Sequence, residues 1–271
     1  WNYYYPNKSY DYPGVDKFLL DDDWGHQAEY GKTVALRITA KEFPGWFSSF
    51  AKSQVDIQNA DGVLLDWWHN NHESSNGYPA KDVKKARERL ARELRAKLGP
   101  EKIIMGNVNW YKDRATLPYL NGAWFELYKT PYYESANRVY DADELYEISE
   151  LIEYYEENLQ FPKLIAIEGW RKTKAVNDED RNTSENRRVA KILTAMSAVI
   201  PTNGYILYGD NNNDTPDGDH GHILYDFYNF DIGVPTSGRI KLSQRVSLKY
   251  FDRGFIAFNI SDVDAVITLR N

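Results

Sequence analysis

Hydrophobic and polar positions along the chain fall into two rhythms. Five short runs, at 62–66, 102–107, 123–127, 164–169 and 204–210, are almost continuously apolar and are flanked by Gly, Asp or Asn. Runs of that length without alternation read as strands covered on both faces, because a strand with one wet face would alternate. Between them, apolar residues recur at three- and four-residue steps. Val83, Ala86, Leu90, Leu94 and Leu98 do so within 82–98, Leu145, Ile148, Leu151, Ile152 and Tyr155 within 142–158, and Val189, Ile192, Leu193, Met196 and Ile200 within 184–200. This spacing gathers a single stripe on a helix. Gly99-Pro100 closes the first helix and Pro201 the third, as residues that cannot continue one should. The shorter segment 110–120 is the remaining crossover. Alternating strand and helix predict an α/β fold with a parallel sheet.

Two parallel architectures compete. An open sheet that binds nucleotides carries a Gly-rich turn after its first strand, and neither G-x-G-x-x-G nor G-x-x-x-x-G-K-[ST] occurs here. What recurs is a polar residue at the carboxyl end of each run: Asp66, Asn107 with Asn109, Glu126, Glu168 and Asp210. In a (β/α)8 TIM barrel those ends converge on one mouth, where the active site lies, and a barrel is the expected fold. Residues 1–32 are rich in Tyr, Asp and Gly and read as irregular. Only the apolar runs at 15–20 and 34–38 are available as strands ahead of 62–66, so the first one to three strand-helix units are expected to lie outside this chain. The chain also starts at Trp1 and not at Met, as after removal of a leader or within a longer protein. From residue 227 onward short strands without helices, at 239–248, 255–260 and 265–269, predict a small antiparallel appendage. The expected division is a barrel over 1–226 and an appendage over 227–271.

Composition narrows the partners. With 33 Lys and Arg against 40 Asp and Glu, the formal charge is −7, and no basic block offers the footprint that phosphate backbones require. Nucleic acid is not an expected partner. No apolar run approaches the roughly 20 residues that span a bilayer, and membrane insertion is not expected. The absence of cysteine removes disulfides, thiol catalysis and Cys-based zinc sites. Aromatics reach 15%, with 21 Tyr, 11 Phe and 8 Trp, many in polar surroundings such as Trp67-Trp68-His69-Asn70 and Tyr132-Tyr133-Glu134. A ring face packs on the C–H face of a sugar while its edge stays hydrated, which points to a carbohydrate. The competing reading is that Tyr fills half-buried strand surfaces.

Carboxylates at the ends of buried strands are costly to desolvate unless they are paired or used. Two of them around one mouth are the equipment of glycoside hydrolysis, in which one protonates the leaving oxygen and the other attacks the anomeric carbon or activates water. Asp66 and Glu126 are the leading pair. Asp66 precedes Trp67 and Trp68, where a sugar could stack, and Glu126 follows Trp124-Phe125, whose rings suit a general acid. The ordinary alternative for each is a salt bridge or a helix cap. Glu168 is a second candidate acid, or the ion-pair partner of Arg171. His69, Asn107, Asn109, Trp124, Glu168, Tyr208 and Asp210 complete the expected substrate contacts, with Trp67 and Trp68.

Residues 210–219 alternate hard oxygen ligands in the manner of a Ca²⁺ loop, but Thr215 stands where Gly is expected and no Glu closes it. A solvated turn is favoured there, and a Ca²⁺-dependent lyase is the weaker reading. His69 with His72 and His220 with His222 lack a third ligand, and no H-E-x-x-H or G-x-S-x-G is present. No metal and no cofactor are expected. Asp21-Asp22-Asp23 reads as a hydrated turn.

The octapeptide Asp61-Gly62-Val63-Leu64-Leu65-Asp66-Trp67-Trp68 resembles the strand-four signature of glycosidases related to the α-galactosidase-like TIM barrels, in particular hypothetical glycosyl hydrolase family 15. The resemblance continues through Gly122-Ala123-Trp124-Phe125-Glu126, Gly204-Tyr205-Ile206-Leu207-Tyr208, residues 226–235 and residues 251–259. It implies a nucleophile or base at Asp66, an acid at Glu126 and a retaining reaction on a poly- or oligosaccharide. An extracellular, cell-surface or periplasmic location fits such a substrate. The alternative from another class is a carbohydrate-binding or structural protein in a cell-surface or particle assembly.

Overall fold

The computed structural model describes residues 2–5, 14–18, 27–28, 31–69, 79–127, 140–170, 183–209 and 224–267. They form two compact units, Trp1–Gly106 with Tyr111–Asn121, and Asn107–Trp110 with Gly122–Asn271. In the first unit, β1 (Asn2–Tyr5), β2 (Gln27–Ala28) and β3 (Gly31–Ala35) make an antiparallel sheet of order β1-β3-β2. Then come α1 (Phe43–Gln58), β4 (Gly62–Leu65), α2 (Ala80–Leu98) and β5 (Ile103–Asn107), whose last residue, Asn107, is counted with the second unit. The second unit holds β6 (Gly122–Leu127), α3 (Ala142–Asn158), β7 (Leu164–Trp170), α4 (Ser184–Val199) and β8 (Gly204–Gly209). It ends with β9 (Ile240–Lys241), β10 (Val246–Phe251) and β11 (Gly254–Asn259).

The five parallel strands take the order β4-β5-β6-β7-β8 in one sheet, and β11-β10-β9 form a separate antiparallel sheet. The predicted α/β class with a C-terminal antiparallel addition is therefore observed. Among the described residues the parallel sheet has five strands. No helix among them is long and apolar enough to cross a membrane.

Helix boundaries follow local chemistry. At the start of α3, the Asp141 side chain accepts from Glu144 N at 2.9 Å and Glu144 Oε2 accepts from Asp141 N at 2.8 Å, a reciprocal capping box. Gly99, at φ +81°, closes α2, and Thr183 accepts from Asn186 N at the start of α4. The stripes become core faces: Leu90, Leu94, Ile148, Ile152, Leu193 and Met196 are all fully buried.

Four expected strands are corrected. In the run at 15–20 the described part, Val15–Phe18, is a turn of 3-10 helix and not a strand. Asp16-Lys17 breaks its apolar character, and Phe18 anchors the turn, 5.3 Å edge-on from Phe43 and 5.1 Å from Trp46. The run at 34–38 yields only the end of antiparallel β3, and the chain then turns at 38–40 into α1. That helix was not foreseen. Its buried residues are Phe43, Pro44, Ser48, Ala51 and Val55, in which a serine and an alanine dilute the stripe. At the other terminus the run 239–248 is split, because Leu242 N and Ser243 N both donate to Val246 O and fold a tight turn between β9 and β10. No strand forms over 265–267, where Val266 is exposed, and 268–271 lie outside the described residues.

The antiparallel sheet is fastened to the helices of its own unit. Lys249 Nζ on β10 donates to Pro201 O at 2.8 Å and Ala198 O at 3.2 Å, satisfying carbonyls at the end of α4 that the helix cannot pair internally. Arg239 Nη2 donates to Ser149 Oγ, and Arg245 Nη1 to Ala142 O, which ties the sheet to α3.

Candidate active site

In the first unit, β4 pairs with β5 in parallel register, Leu64 opposite Met105 and Leu65 opposite Gly106. Asp66 follows at the carboxyl end and is exposed. Its Oδ1 accepts from Trp67 N at 2.9 Å. Trp67 is in the left-handed region, φ 52°, a conformation that a bulky residue adopts only when its surroundings enforce it. Trp67 is 45% exposed.

Trp68 points the other way and has no exposed surface. The expectation that it contacts a sugar is corrected to a supporting role in the core. Its indole Nε1 donates to Thr116 Oγ1 at 2.9 Å, and the Thr116 hydroxyl donates to Asp113 Oδ2 at 2.8 Å. Arg87 of α2 pairs with the same Asp113 oxygen at 2.7 Å and lies 4.8 Å over the Trp68 ring. Gly106 makes room for that ring, since a Cβ there would stand 2.6 Å from Trp68 Cδ1. His69 is also buried and stacks on Tyr111, centroids 4.8 Å apart. The sequence reading missed Arg87, Asp113 and Thr116. A signal was present, because Arg87 stands inside the apolar stripe between Val83 and Leu90, and an arginine there needs a buried partner.

In the second unit, β6 and β7 run parallel with Trp124 opposite Ala166 and Glu126 opposite Glu168. Side chains two apart share a face, so Trp124, Glu126, Ala166 and Glu168 lie together. Phe125 and Ile167 point to the opposite face, where Phe125 meets Tyr155 of α3 edge-on at 5.2 Å. Neighbouring strands are about 4.8 Å apart, which makes the two carboxylates adjacent. Trp124 Nε1 donates to Glu168 Oε2 at 3.2 Å. Glu168 is fully buried, whereas Glu126 is only half-buried. Asn107 Nδ2 donates to Glu126 Oε2 at 2.6 Å.

Asn107 and Asn109 are both buried. Asn109, at φ 50°, turns its N–H back to Asn107 Oδ1 at 3.3 Å, and Val108 N donates to Trp124 O at 2.8 Å. These two asparagines hold the carboxylate end of β6 in place. The face therefore offers one carboxylate open to a ligand, one sealed beside it, and a ring between two strands: a set able to give or take a proton next to a hydroxyl-rich ligand. Among the described residues no group of three or more His, Asp or Glu is placed to hold a metal ion.

Asp210 and the whole of 210–219, the Tyr208 side chain, Arg171, His72, His220, His222, residues 21–23 and residues 132–134 lie outside the described residues.

No family model matches the chain, and no curated protein matches it. Solved structures are similar to it at low identity. The glycoside hydrolase domain of PelA from Pseudomonas aeruginosa shares 13% identity at TM-score 0.45, over 78% of this chain and 73% of that one. Amy13B of Eubacterium rectale shares 12% at TM-score 0.48, over 88% and 58%. An alpha-amylase from Malbranchea cinnamomea shares 12% at TM-score 0.43, over 83% and 51%. The chain thus spans between half and two thirds of the length of the last two.

Proposed function

We propose that this chain is a glycoside hydrolase with a two-carboxylate mechanism, of the α-galactosidase-like kind that its motifs resemble, acting on a poly- or oligosaccharide. The observation that carries the reading is the half-buried Glu126 at the carboxyl end of β6, gripped by the Asn107 amide and in register with Glu168. Glu126 is the proposed acid and base, and Asp66 the proposed second carboxylate. Glu126 protonates the glycosidic oxygen as the bond from that oxygen to the anomeric carbon breaks and its electron pair goes to the oxygen. The Asp66 carboxylate bonds to the anomeric carbon. Water then displaces Asp66, and Glu126 takes the proton of that water, which returns both groups to their starting states. The exposed ring of Trp67 offers a sugar an apolar face. The sealed Glu168 has no free surface from which to attack, and adds negative charge beside Glu126.

The test is release of reducing ends from a panel of neutral and acidic polysaccharides and their oligomers, with wild type, Glu126→Gln and Asp66→Asn compared at equal folding by circular dichroism. Release by wild type and its loss in both variants is expected, with retention of anomeric configuration in the first product seen by NMR. Unchanged turnover in both variants refutes the assignment. Binding of a glycan with no release on long incubation decides for a carbohydrate-binding protein instead.

A further inference from the structure

We infer that Asn107 is a positioning residue that gives the two oxygens of Glu126 different tasks: Oε2 is fixed as a hydrogen-bond acceptor, and the proton that Glu126 exchanges is carried on Oε1. The inference rests on the reading of Glu126 as the acid and base, and adds which atom does that work.

The orientation of the Asn107 amide decides the matter. The two ends of an amide look alike in shape and differ in function, so the assignment must come from what surrounds them. A backbone N–H can only donate. The N–H of Asn109 lies 3.3 Å from the Asn107 side-chain oxygen, which places the carbonyl on that side and the NH2 toward Glu126, 2.6 Å from Oε2. The reverse orientation would set donor against donor at Asn109. Two further features keep it in place. The left-handed backbone of Asn109, which asparagine tolerates better than most residues, aims its N–H back at Asn107. The bond from Val108 N to Trp124 O anchors the intervening residue to β6, two positions before Glu126.

An NH2 group facing Oε2 cannot receive a proton from it. A proton on Oε2 would therefore meet another hydrogen, and the protonated acid keeps the Asn107 bond only with its proton on Oε1. The charged neighbour that faces Glu126 from β7 is Glu168, whose Oε2 is occupied by the Trp124 indole. A donor on Glu126 stabilises its charged form, while the Glu168 carboxylate opposes it.

The experiment follows the carboxyl carbon of Glu126 by ¹³C NMR as pH is varied, in the full chain, with the resonance assigned by its absence in Glu126→Gln. Asn107→Ala removes the donor, and the midpoint should rise by about one unit, a tenfold change in the dissociation constant. If the amide instead presented its oxygen, the same substitution would lower the midpoint. A lowered or unchanged midpoint overturns the inference. Asn107→Leu, which fills the same space without a donor, gives the same signed readout if the alanine variant does not fold. In the hydrolysis assay the pH profile of kcat should move in the same direction with KM little altered. A rise in the midpoint in a protein that cleaves no glycan leaves Asn107 as the positioning residue and refutes the hydrolase reading alone.

Discussion

The ends of β4 and β6 solve one problem in two ways. Beneath the exposed Asp66 and Trp67, the first unit builds an ionic floor in which Arg87 and Asp113 are both buried and hold Trp68 from below. At the end of β6 in the second unit, carboxylates meet neutral donors, with an amide N–H on Glu126 and an indole N–H on Glu168. The difference bears on chemistry. The Arg87–Asp113 ion pair is a charge-assisted hydrogen bond between two buried groups, which suits a structural brace. The Asn107 amide and the Trp124 indole instead fix the position of their carboxylates through single N–H donors. In the proposed mechanism the amide holds the group that exchanges a proton, and the ion pair braces the core beside Trp68.

The sharpest way to break that contrast is at the carboxylates themselves. Glu126→Gln preserves shape and the Asn107 contact surface but removes the titrating group. Turnover should fall by about 10²- to 10⁴-fold, the usual size of a lost general acid, with an unchanged denaturation midpoint. A variant that keeps more than half of wild-type turnover would remove Glu126 from the mechanism and with it the functional distinction between the two strand ends.

Next in size is the ionic floor. Arg87→Met leaves Asp113 buried without its cation, which costs about 3–5 kcal/mol and should appear as a large drop in the urea midpoint. The double variant Arg87→Met/Asp113→Leu should recover part of that loss, because no lone charge remains. The recovery stays incomplete, since Thr116 and the Ala115 N–H lose their acceptor. A single variant as stable as wild type would show that the pair carries no structural load.

How much of this could be read from residue order is itself unequal between the two regions. All five parallel strands and helices α2 to α4 are legible within a residue or two, because continuous apolar runs and i, i+3, i+4 stripes report directly on burial. The strand-end residues Asp66, Asn107, Glu126 and Glu168 are legible for the same reason, since each stands where an apolar run stops. What the pattern could not show is direction. Trp67 and Trp68 are adjacent and chemically alike, and only the left-handed turn at Trp67 sends one outward and the other into the core. Partnership across long separations is equally hidden: Arg87 and Asp113 are 26 positions apart, and nothing in the local periodicity links them. Helix α1 escaped because its buried face includes Ser48, which reads as polar although the interior accepts it.

A smaller effect sharpens the account of neutral donors. Trp124→Phe keeps most of the ring and deletes the N–H that reaches Glu168. A hydrogen bond to a charged group contributes about 1.5–3 kcal/mol, and the variant should lose stability on that scale in chemical denaturation while its secondary structure is retained. No change in midpoint would mean that the indole contributes packing alone.

The smallest effect concerns pH and a second buried cation. Where Arg87 of the first unit has a carboxylate, Lys249 of the second donates to the backbone carbonyls of Ala198 and Pro201 at the end of α4. The negative end of a helix favours a cation, but burial is the larger influence and pulls the Lys249 ammonium below its ordinary range, with Glu156 opposing the shift. Between that lowered value and the ordinary lysine value, the unfolded chain still holds a proton that the folded protein has released. Stability linked to this group must therefore rise with pH across that window, as the charge that burial penalises is lost. Lys249→Met abolishes the rise. Urea midpoints taken from neutral pH into the alkaline range should show wild type gaining on the variant as pH increases, while Arg87→Met, which removes a cation held by a carboxylate, should show no such gain. Parallel curves for wild type and Lys249→Met would mean that the carbonyls at the helix end keep that ammonium as comfortable as water does.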